Sequence, residues 1–220
     1  MLRRPLRFLC LSLALLLAAP ALAQSPAAEY RAYEDALARG ARHAELWQIG
    51  WTGVYAGSLA LNAWQASEAS DRDDRYDARV GVVKSALALT GMLTDRQPHP
   101  AAYRQLQEGK DDIERARRLI EAVAAEERRR RSWEARLGSL AVNAVAGLVI
   151  GVGDGRERDG AINFATGMLV SELQLQSQPH QATAAINRFQ PVEVSFGDIR
   201  LEGEYAWLVG PNQLGVALRY

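Results

Sequence analysis

The chain has 220 residues, a single cysteine, and 26 basic against 26 acidic side chains, so its formal charge is zero. Such a balance excludes the strong basic footprint that nucleic acid or an anionic membrane surface selects. With only Cys10 available, no disulfide can staple the fold, and its stability has to come from packing.

The N-terminus reads as a cleaved secretory signal over residues 1–23. Arg3, Arg4 and Arg7 precede an uncharged apolar run at 8–19, Pro20 breaks it, and Ala21-Leu22-Ala23 supplies the small-x-small pattern before Gln24. The run is shorter than the ~20 residues a spanning helix needs. Cys10 sits inside it rather than at its end, which argues against lipoprotein processing. The expected location is the periplasm, with outer-membrane association as a variant. Subtracting 23 from 220 leaves 197 residues, with 23 basic and 26 acidic side chains, enough for one domain with a real core.

Ser25-Pro26 is a helix start, with serine as N-cap and proline at the first helical position. Helix formers then run without proline to about Ala69. A charged turn follows at 70–77, then a short, almost uncharged helix at 80–94 that ends before Pro98. The pattern repeats. A second long helix is expected from Pro100 to about Ile150, with Ile113, Ala116, Ile120, Val123 and Glu127 forming a narrow stripe, and a second short helix at 161–176 ends before Pro179.

The repetition is explicit in the residues. Gly57-Ser58-Leu59-Ala60-Leu61-Asn62-Ala63 recurs 81 positions later as Gly138-Ser139-Leu140-Ala141-Val142-Asn143-Ala144, and Gln97-Pro98-His99 recurs at the same offset as Gln178-Pro179-His180. Two matches at one offset indicate an internal duplication. The expected organisation is therefore a signal at 1–23, one helical unit at 24–99, a second at 100–188, and a β appendix at 189–220. The fold class is mainly α, with duplicated helical units packed about a pseudo-twofold axis and a small C-terminal β-hairpin. Gly57, Ser58, Asn62, Gly138, Ser139 and Asn143 are the candidates for the interface between units, where the two asparagines would bond across the axis. The uncharged stretch at 137–153 sits at the lower limit for a membrane span and is rich in Gly and Ala, so a core helix is expected in its place.

After Pro191 the periodicity becomes two. Residues 199–209 and 213–220 alternate around the Gly210-Pro211-Asn212 turn as a β-hairpin, with a third strand available at 192–196. The final alternation is similar to a closing strand of an outer-membrane barrel, although two or three strands are too few to close one. Tyr205, Trp207 and Tyr220 are candidates for docking a partner.

Catalytic signatures are missing from the sequence: there is no GxSxG, SxxK, HExxH or CxxC. His99 and His180 are equivalent, so a symmetric metal pair is conceivable, yet neither has a His or Cys neighbour at helical spacing. The turn at 70–77 starts Asp71-x-Asp73 like a calcium loop, but Arg75 sits where a third ligand belongs and the glycine and late glutamate are missing, so it reads as local ion pairs. Asp73 and Arg75, with Asp154 and Arg156 as their counterparts in the second copy, are the polar site candidates it leaves. Arg128 to Arg131, flanked by glutamates, reads as a solvated face. No catalytic residue, metal or cofactor is assigned. The expectation is a non-enzymatic binding or scaffolding module of the envelope, with an envelope protein or a second copy as partner. A periplasmic carrier of a small apolar ligand or lipid is the alternative.

Overall fold

A computed structural model describes residues 26–109 and 112–187, together with the backbone of 190–196, 199–210 and 213–219. The signal segment falls outside the described residues. Within them the protein is mainly helical.

Helix α1, Pro26–Glu68, is 43 residues long and has two different halves. Its first half buries Tyr30, Tyr33, Ala36, Leu37, Gly40, Ala41 and Ala44, a stripe at spacings of three and four, whereas beyond Trp47 only Tyr55 is buried. Helix α2, Arg72–Thr94, folds back along that second half. The expected charged turn is mostly the first turn of α2, because the Asp71 carboxylate caps it by accepting from the N–H groups of Asp73 (2.8 Å) and Asp74 (3.1 Å).

Helix α3, His99–Glu108, returns to pack on the first half of α1. The single long helix expected from Pro100 onward is interrupted twice. Gly109 ends α3, Asp112 caps α4 at Ile113–Arg130, and Ser132 caps α5 at Trp133–Leu148. Both caps accept a backbone N–H three residues on, Arg115 at 3.0 Å and Ala135 at 3.4 Å. These side chains satisfy backbone donors that each break would otherwise leave unpaired, so the chain can bend here despite the helical propensity of the flanking residues. Helix α5 runs into a π-helical turn, Val149–Gly153, and α6, Glu157–Gln176, folds back against it. A last short helix, α7 at Gln181–Ile186, packs on α4 and α1. The backbone beyond forms antiparallel strands β1 (Gln190–Phe196), β2 (Ile199–Gly210) and β3 (Gln213–Arg219), in that order across the sheet.

The molecule therefore has a base and an arm. The base (the first half of α1 with α3, α4 and α7) closes around Tyr33, Leu37, Leu106, Ile120 and Ala182. The arm is two helical hairpins, the second half of α1 with α2 and α5 with α6. Its largest buried cluster is Trp47, Tyr55 and Met92, at the end next to the base.

Candidate functional site

The two hairpins of the arm face each other across an open cleft of about 1010 Å³. Its walls carry amides, hydroxyls and one amine: Ser58, Asn62, Lys84 and Ser85 on the first hairpin, and Asn143, Asn163 and Ser171 among those on the second. The repeated motif places both asparagines here. Asn62 donates to the Ser58 carbonyl (2.7 Å) and Asn143 to the Ser139 carbonyl (2.9 Å), each one turn back. Asn143 also reaches the Ser171 hydroxyl at 3.3 Å. Each amide lies against a glycine of the following helix: a Cβ at Gly81 would come 2.5 Å from Asn62 Cγ, and one at Gly167 2.6 Å from Asn143 Cγ.

The amides therefore serve their own hairpins, and the expected bond between them across an axis is not among the hydrogen bonds they make. Gly57 and Gly138 have nothing within 4 Å of an added Cβ, so neither mediates a helix contact. Close backbone approach occurs elsewhere: a Cβ on Gly160 would meet Gly151 N at 2.6 Å and Gly151 Cα at 2.7 Å. Lys84 Nζ donates to Asn163 Oδ1 at 2.9 Å, which joins the two hairpins through a charged donor and a neutral acceptor.

At the far tip the charged turns clasp one another. Arg72 pairs with Asp154 at 2.6 Å, and Arg156 bonds Asp77, Asp154 and Asp159 while lying 3.9 Å from Asp73. Of the four charged candidates, Asp73, Asp154 and Arg156 are brought together. Arg75 turns away and donates through Nε to the Ala69 carbonyl at 3.1 Å. The Arg156 guanidinium, with Arg72 in support, holds the Asp154 carboxyl below its ordinary range against a smaller opposing effect of burial.

At the base a polar hub ties together the two Gln-Pro-His breaks. His99 is fully buried, and its Nε2–H donates to Glu127 Oε1 at 2.7 Å. The same carboxylate accepts from the Ala182 N–H at 3.0 Å and the Thr183 N–H at 2.6 Å, capping α7. Burial pushes the Glu127 carboxyl up, but the bonds from His99, Thr183 and Ala182 outweigh it and hold it below the usual carboxylate range. His180 is exposed as the N-cap residue of α7, so the two equivalent histidines have unlike environments. Arg130 and Arg131 are not a solvated face. Arg130 bonds Asp95 at 2.6 Å and the Arg96 carbonyl at 3.0 Å, and Arg131 bonds the Gln178 carbonyl at 2.6 Å. Arg129, the neighbour that does face solvent, pairs with Glu126.

Tyr220 and the side chains of Tyr205 and Trp207 lie outside the described residues. Among the described residues no group of three or more His, Cys, Asp and Glu side chains is placed to hold a metal ion. No protein-family model, curated protein or solved structure matches the chain.

Proposed function

We propose that the protein is an exported binding or scaffolding module of the bacterial envelope, without chemistry of its own, in which the base fixes an arm that does the binding. One observation carries this reading. The arm turns large apolar side chains outward, among them Ile49 (70 % exposed), Val145 (61 %) and Val152 (76 %), while its cleft mixes amides, hydroxyls and charged groups with apolar side chains. A contiguous exposed apolar surface marks a site of association.

In the same proposal the two hairpins descend from one duplicated unit. The like placement of Asn62 and Asn143 against glycines supports this, as does the short helix that follows each Gln-Pro-His break. On that basis α3 belongs to the first unit rather than the second, and the C-terminal strands are an appendix that docks a partner through Tyr205, Trp207 and Tyr220. Fractionating cells that express the tagged chain tests the reading. It predicts recovery with the envelope and an N-terminus at Gln24; a cytosolic protein retaining residues 1–23 would refute it.

The cleft favours a second reading, a carrier for an amphiphile with an anionic head. Among the described residues Lys84 has only the neutral Asn163 as hydrogen-bond partner, and Leu87, Met92 and Val170 add apolar wall. Native mass spectrometry of the protein purified from envelopes would show a bound anionic amphiphile that Lys84→Met loses. Ligand-free parent protein from envelopes would exclude the carrier.

A further inference from the structure

We infer that the arm is embedded in a lipid bilayer, with its outer faces against acyl chains and its charged tip on the side opposite the base. The inference rests on the arm being the binding part of the molecule and names what covers it. Four observations carry it.

The first is that every helix of the arm turns large apolar side chains outward, while polar side chains are kept between the helices. Exposed apolar side chains occur on all four helices of the arm, as with Ile49 and Leu61 on α1, Val83 on α2, Val145 on α5 and Leu169 on α6. Asn143 and Ser85 are buried between them. An apolar surface on every helix is a girdle, whereas a second copy docked on one side would cover only part of it. In the run Ile113–Gly153, the apolar window is just 22 % buried, the reverse of a core helix.

The second is the placement of charge. Residues 46–67 and 137–153 carry none, over 22 and 17 positions. At ~1.5 Å per residue these stretches measure roughly 33 and 26 Å, beside a hydrocarbon layer of about 30 Å. In the partner helices, Lys84 is the one charge between Arg79 and Asp95, and it turns inward to Asn163. Glu172, at the base end of α6, is neutralised by Arg136 at 3.0 Å. Charge then crowds both ends, as the Arg72–Asp154 and Arg156–Asp77 pairs at the tip and the Arg130–Asp95 pair at the base. An ionisable side chain within a bilayer faces the interior of a bundle or finds a partner, and every one here does.

The third is helix packing. Gly147 of α5 and Gly151 of the π turn that follows it meet Gly160 of α6 backbone to backbone. Small residues four apart that allow such close approach are how helices associate where no hydrophobic force drives them together. The fourth is aromatic placement. Trp64 (61 % exposed) stands near the tip end of the girdle and Trp133 (66 % exposed) at the base end, where indoles favour the two interfaces.

The test uses the full-length chain in cell envelopes. Because Cys10 is its only cysteine and precedes the expected cleavage site, Ser70→Cys at the tip and Glu121→Cys on the exposed face of α4 each provide a single reporter in an otherwise cysteine-free mature protein. The protein should resist alkaline carbonate and require detergent for extraction. A membrane-impermeant maleimide should label one of the two sites in intact spheroplasts and both after permeabilisation. Release by carbonate, equal labelling of both sites in intact spheroplasts, or a detergent-free soluble oligomer would overturn the inference while leaving the exported binding module standing. Retention in the cytosol would overturn both.

Discussion

Glu127→Gln removes one charge from the base and preserves the shape of the side chain. The carboxylate takes three hydrogen bonds, from His99 Nε2 (2.7 Å), Ala182 N (3.0 Å) and Thr183 N (2.6 Å), at a position only 3 % exposed. A glutamine offers one carbonyl oxygen to these donors, and its NH2 must face at least one of them. The imidazole can turn its acceptor nitrogen to that NH2, whereas neither backbone N–H can adapt, so Ala182 or Thr183 loses its partner. A hydrogen bond to a charged group contributes about 1.5–3 kcal/mol and an orphaned buried donor costs about 1–3 kcal/mol. The sum predicts a loss of roughly 2.5–6 kcal/mol, a large part of the ~5–15 kcal/mol that separates folded from unfolded domains. Glu127→Ala, which strands all three donors, should cost more. Urea unfolding followed by far-UV circular dichroism measures both. An unchanged midpoint for Glu127→Gln, or an alanine variant no weaker than the glutamine one, would refute the role of this carboxylate as the tie between the breaks.

The same group fixes a pH dependence. Because its folded pKa lies below the ordinary 4.5, its contribution is fully present above that value and lost as pH falls through the lower folded value; acid titrations of stability should show this slope in the parent and not in Glu127→Gln. Gly160→Ala drives a methyl into the Gly151 backbone and should lower the melting temperature in mild detergent by the equivalent of about 1–3 kcal/mol. Gly57→Ala, with open space around the added carbon, should leave that temperature unchanged or raise it. Arg156→Ala leaves the Arg72–Asp154 pair as the remaining ion pair of the clasp between the two turns, and hydrogen exchange should speed up in 149–160 and 71–77 while the base keeps its protection.

Much of the helical plan is readable in the residues, because prolines, glycines and capping side chains act locally. Pro98 and Pro179 mark the breaks, and the stripe from Ala116 to Glu127 is the face that α4 buries. Glu127 itself was a legible signal, since a carboxylate on an apolar stripe needs buried donors and the nearby breaks supply them. Ser132 and Asp112 were harder to read: a serine or aspartate within a helical pattern becomes a cap only when tertiary packing bends the chain there. Arg130 and Arg131 look like any basic run until folding brings the Asp95 and Gln178 ends of two other helices beneath them.

The arm shows where pattern reading reaches its limit. Composition makes 137–153 resemble a core helix, because glycine and alanine suit both a core and a membrane bundle. Which residues face inward depends on the partner helix, and the glycines of α5 and α6 draw the two backbones together so that Val145 and Val152 turn out. The motif glycines Gly57 and Gly138 suggested close contact and are open, whereas Gly81 and Gly167, outside the motif, make room for the asparagines.

Single spin labels walked along α5 and its π turn, with the protein in lipid vesicles, would measure the lipid exposure of the arm directly. Collisions with oxygen should peak at Val145, Leu148 and Val152 and fall at Asn143, Ala146 and Ile150, with the period of a helix and little access for a water-soluble relaxant at the peaks. If the water-soluble relaxant instead dominates at Val145, Leu148 and Val152, those side chains face solvent and the arm does not meet lipid.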